Sequence, residues 1–184
     1  MSDADFPVVE TARLRLREIV LADAPALLAI HGDAGAMQWF GSDPPTEPAQ
    51  AEKIVANFAA LRTQPNPGVR WGLERKSDGR LVGTCGLFKW NRGWQVCSTG
   101  YELARAAWGQ GLMREALAAA FAWGFEHMTL ARIEAQVHPD NAASLKLLRG
   151  FGFVDEGIAR EAGFWLGRRH DMVQLGLLRR EFAG

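Results

Sequence analysis

Between residues 109 and 128 the apolar side chains Met113, Ala116, Leu117, Ala120, Phe121, Phe125 and Met128 recur at steps of three and four. That is the period of one face of an α-helix, so the segment must lie with one side against a core. It is entered through Trp108-Gly109-Gln110-Gly111, and residues 94–104 before that loop read as a strand. Strand, glycine loop and long helix in succession constrain the chain to an α/β arrangement. The first turn of such a helix offers N–H groups without intrahelical partners, backed by the positive end of the helix dipole. Glycines at 109 and 111 let an anion approach those amides closely, and a diphosphate suits the geometry. A tight turn packed against a neighbouring strand is the plainer reading of the same two glycines.

What is missing narrows the choice of anion. Gly111 is followed by Leu112 and Met113, where a P-loop needs Lys and then Ser or Thr. Arg114 stands where a dinucleotide-binding fingerprint needs its third glycine.

Around this unit the polar–apolar alternation of residues 11–17 predicts a half-buried strand. Asp23 before Ala24 and Pro25 reads as the N-cap of a helix running through Ile30. A Pro-rich loop over 43–48 leads to a second helix over 49–61, ended by the loop at 65–68. Residues 70–75, 81–90 and 94–104 form an antiparallel meander joined by turns at 76–79 and 91–93. After the long helix come a strand over 132–137 and a short helix between Asn141 and Gly150. Two strands follow within 153–182, around a turn at 167–169. The reading is one domain over residues 1–184, with residues 1–10 as a loose N-terminal segment.

The 21 basic and 21 acidic side chains cancel, so the chain lacks the basic excess that a general nucleic-acid binder uses to neutralise phosphates. No apolar run reaches the roughly 18 residues of a membrane span. The N-terminus lacks a basic stretch followed by an apolar one, which makes the cytoplasm the expected address. Cys85 and Cys97 fall in strands, as buried thiols of a reducing compartment or as neighbours in the sheet. His31, His127, His138 and His170 are scattered, without HxxxH or CxxC spacing, so no metal is expected.

The runs Gly100-Tyr-Glu-Leu103 and Trp108-Gly-Gln-Gly-Leu-Met-Arg-Glu-Ala116 closely resemble motif A of the GNAT acyltransferase superfamily. His138-Pro-Asp-Asn-Ala-Ala-Ser144, Gly150-Phe-Gly-Phe153 and Glu156-Gly157 resemble its motif B. Residues 11–17 and the tail Gly167-Arg-Arg-His-Asp171 are similar to the branch that includes ribosomal-protein N-terminal acetyltransferases. The resemblance implies one α/β (α+β) domain, its mixed, mostly antiparallel sheet of about seven strands flanked by helices. It also implies a splay between the fourth and fifth strands, through which acetyl-CoA enters. By position, Gly109, Gln110, Gly111, Leu112, Met113 and Arg114 would hold the diphosphate. Leu103 and Ala104 would pair with the pantetheine arm, and Asn141 would contact it or cap its own helix. The loop departs from the family in carrying Ala106 where Gln or Arg is usual; Arg105 or Arg114 could compensate, or both could be surface arginines.

The implied reaction moves an acetyl group from a thioester to a primary amine, on a protein N-terminus or a small molecule, by direct attack in a ternary complex. It needs a neutral amine, a held oxyanion and a proton for the leaving thiolate. An α-amine (pKa about 7.7–8.0) is roughly a tenth neutral at pH 7, against roughly 0.04% of a lysine side chain. An enzyme for N-termini can therefore manage with little base assistance. The base candidates are Glu102, Glu161 (near Gly163, where the branch has a glutamate) and a water chain. Leu148 occupies the position of a tyrosine acid in many relatives, which leaves Ser144 as the acid candidate, its plainer role being a helix-cap contact. A backbone N–H near Leu103 or Ala104 could hold the oxyanion. Trp39, Trp90, Trp94 and Trp165 are candidates for lining an acceptor pocket, with ordinary packing as the alternative. A non-catalytic CoA-binding sensor and an unrelated nucleotide-binding domain are the competing readings; a homodimer is suggested by analogy.

Overall fold

In a computed structural model of the chain, residues 6–183 are described. Among them eight strands form one sheet: β1 (Val9–Glu10), β2 (Leu14–Arg17), β3 (Val69–Arg75), β4 (Arg80–Asn91), β5 (Val96–Leu103), β6 (Arg132–Val137), β7 (Val154–Trp165) and β8 (Arg168–Leu178). Their order is β1-β2-β3-β4-β5-β6-β8-β7. The helices are α1 (Ala24–His31), α2 (Ala34–Met37), α3 (Pro48–Ala60), α4 (Leu112–His127) and α5 (Ala142–Arg149). Every neighbouring pair of strands is antiparallel except β5–β6. A parallel pair cannot be joined by a hairpin, and α4 is the crossover that returns the chain to the same end of the sheet.

The periodic face of α4 is buried as its spacing requires: Met113, Ala116, Leu117, Ala120, Phe121 and Phe125 all lie in the core. They pack against Leu14 and Leu16 of β2, Trp71 and Leu73 of β3, Leu87 of β4 and Ile133 of β6. Alternation in β2 puts Leu14 and Leu16 inside while Arg15 faces solvent. On the other face of the sheet α1 and α3 close a smaller cluster of Ile19, Leu27, Ala51, Val55 and Leu81.

Two expectations need correction, and one element was not expected at all. The sheet has eight strands rather than about seven, because part of the expected loose segment is ordered: Val9 pairs with Leu16 and Glu10 with Arg15. The carbonyl of Pro7 also accepts from Trp71 Nε1 at 2.7 Å; residues 1–5 lie outside the described residues. Asp23 does not cap α1 with its side chain. Its carboxylate is taken by the Arg17 guanidinium (2.8 and 2.9 Å) and by Val20 N–H (2.9 Å), stronger partners than a first-turn amide. Finally, α2 falls in a stretch that periodicity left blank, being a single turn started by Asp33, which accepts from Ala36 N–H at 3.0 Å.

Phe121 is fully buried, with the rings of Phe151, Phe153 and Phe182 around it. Phe121→Ala is expected to destabilise the fold by about 3–5 kcal/mol, read as a lower urea midpoint at unchanged slope.

Candidate active site

β5 and β6 pair only over Val96↔Arg132, Cys97↔Ile133 and Ser98↔Glu134. Beyond Ser98 they part, and a cleft of about 740 Å³ opens between Thr99–Leu103 on one side and Ala135–Val137 on the other. This is the splay expected between the fourth and fifth strands. Ala104 N–H is already spent on Val82 O, at 2.8 Å on the β4 side. It is therefore unavailable as an oxyanion donor, and Ala104 does not line the cleft. Along an antiparallel ladder main-chain groups alternate in direction, so those of Leu103 and Tyr101 face away from β4, into the gap. Trp108 Nε1–H occupies the Leu103 carbonyl at 2.8 Å, which leaves the Leu103 N–H as the donor at that level.

The glycine loop closes one end of the cleft. Gly109 and Gly111 have φ of 72° and 74°, a left-handed conformation that side chains strain. A Cβ at Gly109 would meet nothing within 4 Å, so the loop is open rather than packed against a strand. No side chain caps the start of α4. Its one first-turn acid, Glu115, is turned to the sheet edge: it accepts from Thr11 Oγ1 (2.6 Å), Arg13 N–H (2.7 Å) and Arg13 Nε (2.7 Å). Arg13 also donates from Nη1 to the Gln110 carbonyl at 2.8 Å, bracing the loop. These are features of an anion cradle: bare amides, a positive helix end, and the nearby carboxylate neutralised. Of the two arginines that might replace the missing residue at 106, Arg114 lines the cleft, whereas Arg105 is paired with Asp33 at 2.6 and 2.8 Å. Gln110 lies outside the lining, its side chain donating to Ala106 O.

On the β6 side Asn141 caps α5, accepting from Ser144 N–H at 3.1 Å. That places Ser144 in the first turn of α5, on the cleft wall with Asn141. Its hydroxyl lies 2.7 Å from the phenol of Tyr101, which reaches across the gap from β5. Burial pushes the Tyr101 pKa up to about 12, the serine contact working against it.

Glu102 points to the opposite face from Tyr101 and is 6% exposed. One carboxylate oxygen accepts from Thr84 Oγ1 (2.5 Å) and meets His31 Nε2 (3.0 Å); the other is held by the Arg70 guanidinium. Burial by itself would raise the pKa of this carboxyl, but Arg70, His31 and Thr84 outweigh burial and hold it below the usual range. The expected role as a base is therefore not what the geometry favours: the carboxylate is engaged on both oxygens and has little tendency to take a proton. Because its folded pKa lies below the unfolded value of about 4.3, Glu102 stabilises the fold above that pH and loses the effect as pH falls. Glu102→Gln, which leaves Arg70 buried without its counter-ion, is expected to cost about 3 kcal/mol at pH 7. The gap to the parent protein should narrow below about pH 4, as urea titrations at several pH values can show.

The remaining candidates separate clearly. Trp39 lines the cleft, stacked on the ring of His138 at 4.1 Å. Trp165 sits behind it, stacked on His170 at 3.6 Å and donating to Gln38 O. Trp90 is in the core and Trp94 is 80% exposed on a turn. Glu161 is also away from the cleft: its φ of 53°, at an irregularity in the β7–β8 ladder, turns it outward beside Arg169. Cys85 and Cys97 are buried free thiols, and Cys85 lies opposite Tyr101 in the sheet rather than opposite Cys97. Among the described residues no group of three or more His, Cys, Asp or Glu could hold a metal. No helix there is long and apolar enough to cross a membrane. Arg13, Tyr101 and the segment Gly35–Phe40 apart from Trp39 were missed from the sequence; the alternation of Gly100-Tyr-Glu-Leu103 was the one signal that could have separated Tyr101 from Glu102.

Residues 13–154 match the family model described as an acetyltransferase (GNAT) domain. The chain is 34% identical over 166 residues to the uncharacterized N-acetyltransferase YoaA of Bacillus subtilis, covering 90% of this chain and 93% of that protein. It is 28% identical to the putative ribosomal N-acetyltransferase YdaF of the same organism, over 96% of each chain. In fold it superposes on Mycobacterium smegmatis RimJ in complex with CoA-disulfide with a TM-score of 0.85 at 22% identity, covering 97% of this chain and 90% of that one. With the family motif spanning the splay, the glycine loop and the start of α5, the chain belongs to the GNAT acetyltransferase family and is an acyltransferase.

Proposed function

We propose that this enzyme transfers an acetyl group from acetyl-CoA to a primary amine, by direct attack in a ternary complex, and that its preferred acceptors are α-amines. The observation that carries the reading is the cleft itself: parted strands with inward-facing amides, closed by an uncapped helix start at one end and a serine hydroxyl on the wall. The amides of residues 109–114 are suited to a diphosphate, and Arg114 adds a cation beside them. The edges of Tyr101 and Leu103 suit the peptide-like amides of a pantetheine arm, which would add as a strand. Acetyl-CoA, when bound, supplies the acetyl group as a thioester. Leu103 N–H is the donor placed to hold an oxyanion. Ser144 holds a proton at Oγ on the cleft wall.

The acceptor preference follows from charge. A polyamine needs free carboxylates to replace the hydration of several ammonium groups. Here Glu102 is neutralised by Arg70 and Asp33 by Arg105, while Asp140 is largely solvated. The lining instead includes Gly35–Phe40 with the Trp39 ring, suited to the flank of a peptide or an apolar carrier. With Glu102 engaged and Asp140 solvated, no uncommitted buried carboxylate lines the cleft among the described residues, and the amine sheds its proton to water. The similarity to YdaF, described as a putative ribosomal N-acetyltransferase, supports the same choice.

Thiol release should be measured with acetyl-CoA against a panel of N-terminal peptides and polyamines, with mass spectrometry of the products. Acetylation of peptide α-amines with little turnover of polyamines is expected; the reverse order would overturn the acceptor assignment, and CoA binding without turnover of any amine would overturn the transfer. The kcat/KM for a peptide should climb with pH and level off above about 8, following the fraction of neutral α-amine. A plateau reached below neutral pH would instead reveal a base on the enzyme. Gly109→Val should weaken CoA binding in calorimetry by about tenfold or more, because the left-handed loop and its open approach are both lost.

A further inference from the structure

The chain contains a single tyrosine, Tyr101, and it spends its hydroxyl on the candidate acid rather than on the core. Either oxygen of the pair could be the donor on distance alone, but the chemistry is not symmetrical. A phenol is far more acidic than an aliphatic alcohol, and the more acidic hydroxyl donates while the less acidic accepts. Among the described residues the Tyr101 oxygen has Ser144 as its one hydrogen-bonding partner, so a Tyr101 that accepted would leave its own hydrogen without a protein acceptor. The serine is held from its other side as well, with its N–H bound to the Asn141 cap and its backbone in the first turn of α5. Two elements on opposite walls of the cleft thus fix one hydroxyl.

We propose that Tyr101 is a positioning residue that donates its phenolic hydrogen to Ser144 Oγ, so that the serine's own hydrogen is the one presented to the cleft. The inference rests on the reading of Ser144 as the proton-holding group. Without the phenol, the Ser144 hydroxyl is free to rotate and to offer a lone pair where a donor is needed. Because burial holds Tyr101 protonated to about pH 12, the polarity of the pair does not reverse across the working range. The phenol also ties β5 to α5 across the gap where the strands no longer pair.

The single tyrosine makes a direct test possible in the free protein. The intensity ratio of the tyrosine Raman doublet is low for a phenol that donates and high for one that accepts. A low ratio is expected, rising in Ser144→Ala; a high ratio in the parent protein would overturn the proposal. In turnover, Tyr101→Phe keeps the ring and is expected to lower kcat by about tenfold, with the KM for acetyl-CoA little changed, the size of one lost hydrogen bond. In a Ser144→Ala background the same change should have no further effect. Losses that multiply would show that Tyr101 acts independently of the serine, and a Tyr101→Phe enzyme as fast as the parent would refute the role outright. Thermal melts of each variant separate these outcomes from unfolding. If the parent turned over no amine at all, the transferase reading would fall, whereas the Raman result would still decide the donor.

Discussion

Two parallel strands that pair over three residues and then separate are the feature on which the rest of this molecule depends. A sheet ordinarily satisfies every inner-strand amide, and an unpaired one away from water costs free energy. Beyond Ser98 this chain leaves the inward groups of β5 without a strand to meet, yet the strands on both outer sides keep their full ladders, β4 against β5 and β8 against β6. The opening is therefore a stable feature of the sheet, held from its flanks, and its unpaired edges suit a ligand with peptide-like amides. The same separation brings the start of α4 and the start of α5 to the two sides of one gap. The start of α4 has no side-chain cap and keeps unspent N–H groups, whereas Asn141 caps the start of α5.

Rigidity around that gap comes from polar contacts at its edges. Glu115, which sits where its charge would repel a diphosphate, is satisfied instead by Thr11 and Arg13 at the sheet edge. Arg13 then braces the loop carbonyl of Gln110. Behind β5, Glu102, Arg70, Thr84 and His31 join β5, β3, β4 and α1. The Arg70 guanidinium also lies over the Phe58 ring at 4.5 Å, which brings α3 into the same cluster. A buried ion pair of this kind contributes little net stability compared with apolar packing, but breaking it is costly, so its value lies in holding one arrangement. The cluster also reaches the cleft lining at Phe40, whose ring lies 5.0 Å from that of His31 and 5.7 Å from the Arg70 guanidinium.

How legible this was differs by residue. The helix over Leu112–His127, the left-handed glycines before it and the cap at Asn141 are local: periodicity, the permitted backbone of glycine and a side chain three residues from its target decide them within a short window. The motif resemblance placed Gly109, Gly111, Arg114, Asn141 and Ser144 in order, and the fold gathers all five around one cleft. Ala104 failed because the direction of its N–H depends on which neighbour its strand pairs with, a fact absent from the strand's own residues. Glu161 failed because a left-handed residue breaks the alternation that a regular strand would keep.

By itself the sequence determined most of the elements and the meander, because these follow from hydrophobic period and turn residues; the strand at Val9–Glu10 and the single turn at Ala34–Met37 were not among them. It also determined that two glycines stand at the head of the long helix, where first-turn amides lack intrahelical partners. Only the tertiary structure decided what Glu102 and Tyr101 do, since adjacent residues on one strand face opposite sides and meet partners far away in sequence: Arg70 and His31 for one, Ser144 for the other. A carboxylate reads as a base or as a structural anion according to the charges packed around it. Those charges are assembled by strand register and helix docking, which no short window of residues contains.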